Sequence, residues 1–262
     1  MKITKYFLIL ATTVVTGILP IHAQSAEHKG LIWSSLHGLD YEFKAGINIG
    51  GTSPLPLPEE IRSLDSYSPG LAITIEGNAT KWIDASKKWG VSVGLRLDSK
   101  DMTTDATVKN YGMAIFNEVG GKIEGLWTGS VHTKVKMSLL TFPILANYQI
   151  NNRWKISAGP YFSYVMSSEF SGNVSEGHLR TPDATGTRID FQGDNIATYD
   201  FSDEMRNFQW GIQAGGSWKA YKHLTVHADL TWGLNDMFKK DFNTISFAMY
   251  PIYLNLGFGY EF

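Results

Sequence analysis

Residues 39–50 read Leu-Asp-Tyr-Glu-Phe-Lys-Ala-Gly-Ile-Asn-Ile-Gly, so that Leu39, Tyr41, Phe43, Ala45, Ile47 and Ile49 alternate with Asp40, Glu42, Lys44, Gly46, Asn48 and Gly50. Period-two alternation marks a strand whose two faces meet different surroundings. A run this long exceeds the roughly five or six residues usual for a strand, and it covers the 9–11 or so that a tilted strand needs to cross a bilayer. The C-terminal stretch repeats the pattern, with Ile252, Leu254, Leu256, Phe258, Tyr260 and Phe262 set against Tyr253, Asn255, Gly257, Gly259 and Glu261.

Between these two runs the alternation recurs at Leu71, Ile73 and Ile75 and at Trp89, Val91, Val93, Leu95 and Leu97. It continues through Val131–Tyr148, Trp154–Met166, Phe208–Ala220, Leu224–Gly233 and Ile245–Phe262, which makes eight strands. In Val131–Tyr148 the apolar residues change from odd (Val131, Val135, Met137) to even positions (Leu140, Phe142, Ile144) near Pro143, which suggests a bulge there. Short links at Asn78–Lys88, Gln149–Arg153 and Tyr221–His223 alternate with longer ones at Thr52–Ser68, Ser99–Ser130, Ser167–Asn207 and Leu234–Thr244. An even strand count with long and short connections sorted to opposite ends is the signature of an antiparallel up-and-down transmembrane β-barrel, its short turns periplasmic and its long loops extracellular.

Composition narrows the function. The 262-residue chain has no cysteine, which excludes thiol chemistry and a lipoprotein anchor, and its 23 Lys+Arg against 25 Asp+Glu give no basic field for nucleic acid. Met1-Lys2-Ile3-Thr4-Lys5, an apolar stretch from Tyr6 to Leu19 and a small residue at Ala23 fit a cleaved signal peptide. The expected organisation is a signal peptide over 1–23, an N-terminal periplasmic segment over 24–38 and an outer-membrane barrel over 39–262.

The polar strand face carries Glu42, Lys44, Glu76, Arg96, Lys134, Lys136, Gln209, Gln213, His227 and Asp229 among glycines. In an eight-stranded barrel such a face fills a narrow interior with side chains, so a plugged lumen is expected. Trp89, Tyr148, Trp154, Trp218 and Phe262 fall at turn-proximal strand ends, and Phe162, Tyr164, Phe208, Trp210 and Trp232 toward the loops, as two interfacial belts would require. Stacking of carbohydrate on any of these rings is the lesser alternative.

The chain resembles the PorT-family outer-membrane β-barrel proteins of Bacteroidetes, often labelled porin family. The matching pieces are Phe43-Lys44-Ala45-Gly46-Ile47-Asn48, Ser68-Pro69-Gly70-Leu71, Leu139-Leu140-Thr141-Phe142-Pro143-Ile144-Leu145 and Ala158-Gly159-Pro160-Tyr161-Phe162-Ser163-Tyr164. Phe208-Gln209-Trp210-Gly211-Ile212, Trp232-Gly233-Leu234-Asn235-Asp236 and Leu256-Gly257-Phe258-Gly259-Tyr260-Glu261-Phe262 complete them. The loops depart from the pattern, notably the proline-rich Ser53–Pro58 stretch. The resemblance implies that the strand ending in Phe262 is read by the barrel-insertion machinery. One family member serves a gliding and secretion apparatus, so envelope or secretion-system proteins are possible partners, beside outer-membrane lipid and lipopolysaccharide.

Chemistry is sparse. His223-Leu224-Thr225-Val226-His227 imitates zinc-protease spacing, but the strand sets residues four apart about 13 Å from each other and Leu224 replaces the general base. His227 and Asp229 share an inner face, where a structural hydrogen bond between them outweighs an orienting pair for a nearby serine. The third loop holds Glu169, Glu176, Asp183, Asp190, Asp194, Asp200, Asp203 and Glu204 against three arginines. It reads as a solvated, flexible loop, with a divalent cation on Asp190 and Asp194, or a cation bridge to lipopolysaccharide, as the alternative. No catalytic, cofactor-binding or metal-binding residues are therefore expected. The expected role is structural or interactive through the outer loops; the alternatives are a narrow diffusion pore, a secretion or gliding component, and a lipid-modifying or proteolytic barrel enzyme.

Overall fold

A computed structural model describes residues 38–116, 122–191, 193 and 196–262. The expected leader and all but the last residue of the 24–38 segment lie outside the described residues. The strands are β1 (Leu39–Pro54), β2 (Ile61–Pro69), β3 (Ala72–Trp82), β4 (Trp89–Phe116), β5 (Lys122–Gln149), β6 (Trp154–Thr181), β7 (Thr187–Phe191), β8 (Ala197–Asp200), β9 (Phe208–Lys219), β10 (Leu224–Gly233) and β11 (Met249–Glu261). Eight of them close an antiparallel ring in the order β1, β3, β4, β5, β6, β9, β10, β11 and back to β1. The closing pairing of β1 with β11 runs from Glu42↔Glu261 to Pro54↔Met249. This is the eight-stranded antiparallel barrel that the alternation predicts.

The long links differ from expectation. In place of the loops expected at Ser99–Ser130 and Ser167–Asn207, β4, β5 and β6 each run for 28 residues, more than twice the roughly 9–11 that cross a bilayer. The reason lies in β4. Its outward row is Trp89, Val91, Val93, Leu95 and Leu97, then Ser99, Asp101, Thr103, Asp105 and Thr107; its inward row is Ser92, Arg96, Asp98 and Lys100, then Met102, Ala106 and Val108. Both rows invert at one level. An apolar exterior around a polar interior suits lipid, and a polar exterior around an apolar interior suits water, so the same strand continues while its hydrophobic pattern changes sides.

The same inversion corrects the bulge expected at Pro143. Along β5 the odd residues point inward throughout, from Val131, Val135, Met137 and Leu139 to Thr141 and Asn147, while Leu140, Phe142 and Ile144 stay outside. The backbone keeps its phase through Pro143, and only the environment switches. A register shift does occur nearby, between Ser138↔Ser167 and Leu139↔Val165, where β6 gains one residue at Met166.

Beyond the inversion the barrel interior becomes a continuous apolar core, a cap over the loop end. Buried there are Met102, Trp127, Val135, Phe170, Tyr199, Phe201, Met237 and Phe238. The rings interlock, with Phe170 and Phe238 edge to face at 4.9 Å and Tyr199 stacked on Phe201 at 5.4 Å. Hence the third loop is largely strand and buried core rather than open coil. Phe191, Ala197, Tyr199, Phe201 and Met205, spread among the acids of the same segment, carry the burial. Ile245, expected to start the last strand, sits buried in the cap, and β11 begins at Met249.

Candidate functional site

The lumen at membrane level is bridged by side chains from strands far apart in sequence. Lys44 Nζ lies 3.1 Å from Asp229 Oδ2 and 3.9 Å from Glu76 Oε1. Arg96 Nη1 donates to Glu76 Oε2 at 3.1 Å and to Gln213 Oε1 at 2.9 Å, and its Nε stands 3.4 Å from Asp98 Oδ2. Asn48 Nδ2 donates to Asp98 Oδ1 at 2.5 Å, and Asn255 Nδ2 to Asn48 Oδ1 at 2.9 Å. The chain of contacts thus ties β1, β3, β4, β9, β10 and β11 across the bore. Above it Lys100 lies 5.8 Å from the ring centre of Tyr161 and 5.0 Å from that of Tyr253, under the apolar cap. Lys44, Arg96 and Lys100 face Glu76, Asp98 and Asp229, so charge balances where an unpaired ion would be costly.

Two glycines make this packing possible. A Cβ on Gly215 would lie 1.9 Å from Asp229 Oδ1, and one on Gly94 would lie 2.2 Å from Asn78 Oδ1. Toward the turn end, Lys155 pairs with Glu42 at 3.0 Å and Glu261 at 3.2 Å, while Lys219 reaches Glu261 at 2.7 Å. These groups line a vestibule of about 570 Å³ at the turn end.

The residues singled out in the sequence separate in space. His227 Nε2 contacts Asn255 Oδ1 at 2.8 Å and Asp229 contacts Lys44, so the expected His227–Asp229 hydrogen bond gives way to two other partners. His223 Nδ1 meets the Glu261 carbonyl at 2.7 Å and stacks on Tyr260, apart from His227. Asp190 accepts from Arg188 Nε at 2.7 Å; Asp194 lies outside the described residues. The belt aromatics pair with one another, Trp89 with Tyr148 at 4.6 Å and Phe162 with Phe208 at 6.4 Å.

One arrangement has no counterpart among the expected site residues. Ladder register aligns Ser66 of β2, Asp105 of β4, His132 of β5 and Asn173 of β6 in one row on the outer face beyond the inversion. Asp105 accepts from Ser66 Oγ at 2.5 Å and contacts His132 Nδ1 at 2.6 Å, and these two hydrogen bonds, Ser66 first, hold its carboxyl below the usual range. A hydrolytic triad needs the hydroxyl on the far nitrogen of the imidazole. Here Ser66 binds the carboxylate instead, so the row orients a histidine without activating a nucleophile. The alternating polar residues of β4 were its only sequence trace. Among the described residues no three His, Cys, Asp or Glu side chains gather in a way that could hold a metal.

The barrel resembles solved outer-membrane proteins. The attachment invasion locus protein Ail of Yersinia pestis, solved with the heparin analogue sucrose octasulfate, shares 9% identity over 86% of this chain and 97% of its own, with a TM-score of 0.35. Neisserial surface protein A matches at 9% identity over 86% and 97%, with a TM-score of 0.31. The outer-membrane protease OmpT of Escherichia coli matches at 11% over 87% and 98%, with a TM-score of 0.34. No curated protein sequence matches. A family profile described as outer membrane protein beta-barrel domain matches residues 22–239, most of the strands set out above. The chain belongs to this outer-membrane β-barrel family.

Proposed function

We propose that this integral outer-membrane barrel is a closed, non-enzymatic element whose loop-end cap offers a fixed interaction surface to the outside. The observation that carries the reading is the double closure of the bore. Charged and amide side chains of six strands meet across it at membrane level, and an apolar core seals it above. A cap built on 28-residue strands with a packed interior holds its outer face in one shape, as an interaction surface requires. That face is polar and self-paired, with Lys134 on Glu169 at 2.9 Å and Lys136 on Asp101 at 3.1 Å. Lipopolysaccharide, or an envelope or secretion-system protein, is the partner class this surface suits. The PorT-like motifs favour that branch of the family, with the C-terminal strand ending at Phe262 as the address for barrel insertion.

The reading is tested by reconstituting the folded barrel in planar bilayers. Absence of single-channel steps is expected; regular steps of uniform size would establish a diffusion pore and overturn the closed lumen.

A further inference from the structure

The ring of strands is hydrogen-bonded on every side at membrane level but not above it. On one edge β1 stays paired with β11 up to Pro54↔Met249, whereas its ladder with β3 stops at Asn48↔Ala72. β2 continues β3 beyond the Pro69-Gly70 break and pairs with β4, from Pro69↔Met102 to Ile61↔Val108. Among the described residues no ladder joins residues 49–54 of β1 to β2. The sequence explains this locally: Pro54, Pro56 and Pro58 lack donors, and Gly50-Gly51 precede them.

Two side chains bridge the gap where a ladder would run. Tyr67 Oη donates to the Gly50 carbonyl at 2.7 Å, and the Thr52 backbone N–H donates to Met102 Sδ at 3.1 Å. Behind them lies a cavity of about 390 Å³, lined by Leu57, Leu64, Val108, Tyr111, Phe247 and Met249 among others. That is many times the roughly 10–15 Å³ that one water needs, room for a larger apolar group. Its lips are apolar and exposed, Leu57 at 64% and Leu64 at 61%. At its lower end the cavity reaches Ile252, next to Ile49 and the 80%-exposed Leu71 at the top of the lipid-facing row. Arg62 on the same rim supplies a planar cation of the kind that binds phosphate.

We propose that the gap between β1 and β2 is a lateral opening through which one acyl chain of an outer-leaflet lipid enters this cavity. The opening of the cavity at the upper end of the lipid-facing row, beside Ile252, Ile49 and Leu71, selects a membrane lipid as the occupant, and Arg62 on the rim suits a phosphate headgroup. The proposal rests on the membrane placement of the barrel and is independent of whether the lumen conducts.

The full-length barrel, reconstituted in phosphatidylglycerol vesicles carrying a phospholipid with a diazirine near the end of one acyl chain, is irradiated and its adducts mapped by mass spectrometry. Adducts on Tyr111 or Phe247 are expected, beside those on lipid-facing Val93 and Phe142. Ala106→Trp, which fills the cavity, should cut the cavity adducts at least fivefold and leave the Val93 and Phe142 adducts unchanged. Tyr67→Phe, which removes one bridge and nothing from the core, should raise cavity labelling severalfold, and it serves where Ala106→Trp does not fold. Adducts confined to the lipid face in the unaltered protein, or cavity adducts insensitive to these substitutions, would overturn the proposal. So would cavity labelling by a free diazirine fatty acid when the phospholipid gives none, which would make the occupant a soluble apolar molecule.

Discussion

Asp84 shows how far one carboxylate can fix the membrane-proximal end of a hairpin. In the short turn between β3 and β4 it accepts from the Ser86 hydroxyl and from the backbone N–H groups of Lys88 at 3.0 Å and Trp89 at 2.9 Å. Those bonds favour the ionised form, the Ser86 bond most, and bring its pKa down to about 2 from 3.8. Because the folded value is the lower one, the turn's share of stability is fully present above about pH 4 and is lost as pH falls through about 2. Amide protection at Trp89, corrected for intrinsic exchange, should therefore fall over that window. Asp84→Ala should produce the same loss at neutral pH; unchanged protection in both experiments would show that the turn is held by other means. The lumen charges obey a different rule, since they are buried and each is sustained by a partner on another strand rather than by its own turn.

At the scale of a strand, β4 passes from lipid to water without interruption, and its two rows trade character between Leu97 and Met102. This yields a contrast on one face of one element. Val93→Arg, in the middle of the lipid-facing row, should cost about 2–4 kcal/mol of folding free energy in urea titrations from vesicles. Thr107→Arg, on the same outward row beyond the inversion and beside Asp65, should stay within about 0.5 kcal/mol. Equal costs at both sites would mean that the lipid boundary is not where the pattern inverts. The same contrast explains why β4 beyond Ser99, β5 up to Ser130 and β6 beyond Ser167 are expected as loops. Their outward residues there are serines, threonines and charges, and their inward residues interleave too sparsely to announce a strand that faces water.

At the scale of the molecule, the barrel and its cap share strands but bury opposite kinds of side chain, and the proposed interaction surface is the cap's outer face. A photoreactive residue placed at Lys134 in the native outer membrane should give adducts with lipopolysaccharide or with one envelope protein. Adducts with neither, while the same residue reacts with added solvent nucleophiles, would remove the interaction role. The alternation from Leu39 to Phe262 made eight strands, their lipid face and both aromatic belts legible, because lipid imposes an unbroken apolar row on every strand that crosses it, and that constraint is local. Sorting of short and long links made the up-and-down order legible for the same reason. The partner of His227, the row Ser66–Asp105–His132 and the gap beside β1 were not legible, since each depends on the register between segments tens of residues apart. The sequence by itself determined that strands cross a membrane and in what order. Only the tertiary structure decided where lipid gives way to water along them, which charges meet across the bore and where the wall is left unpaired, because those follow from closure of the ring and not from any one strand.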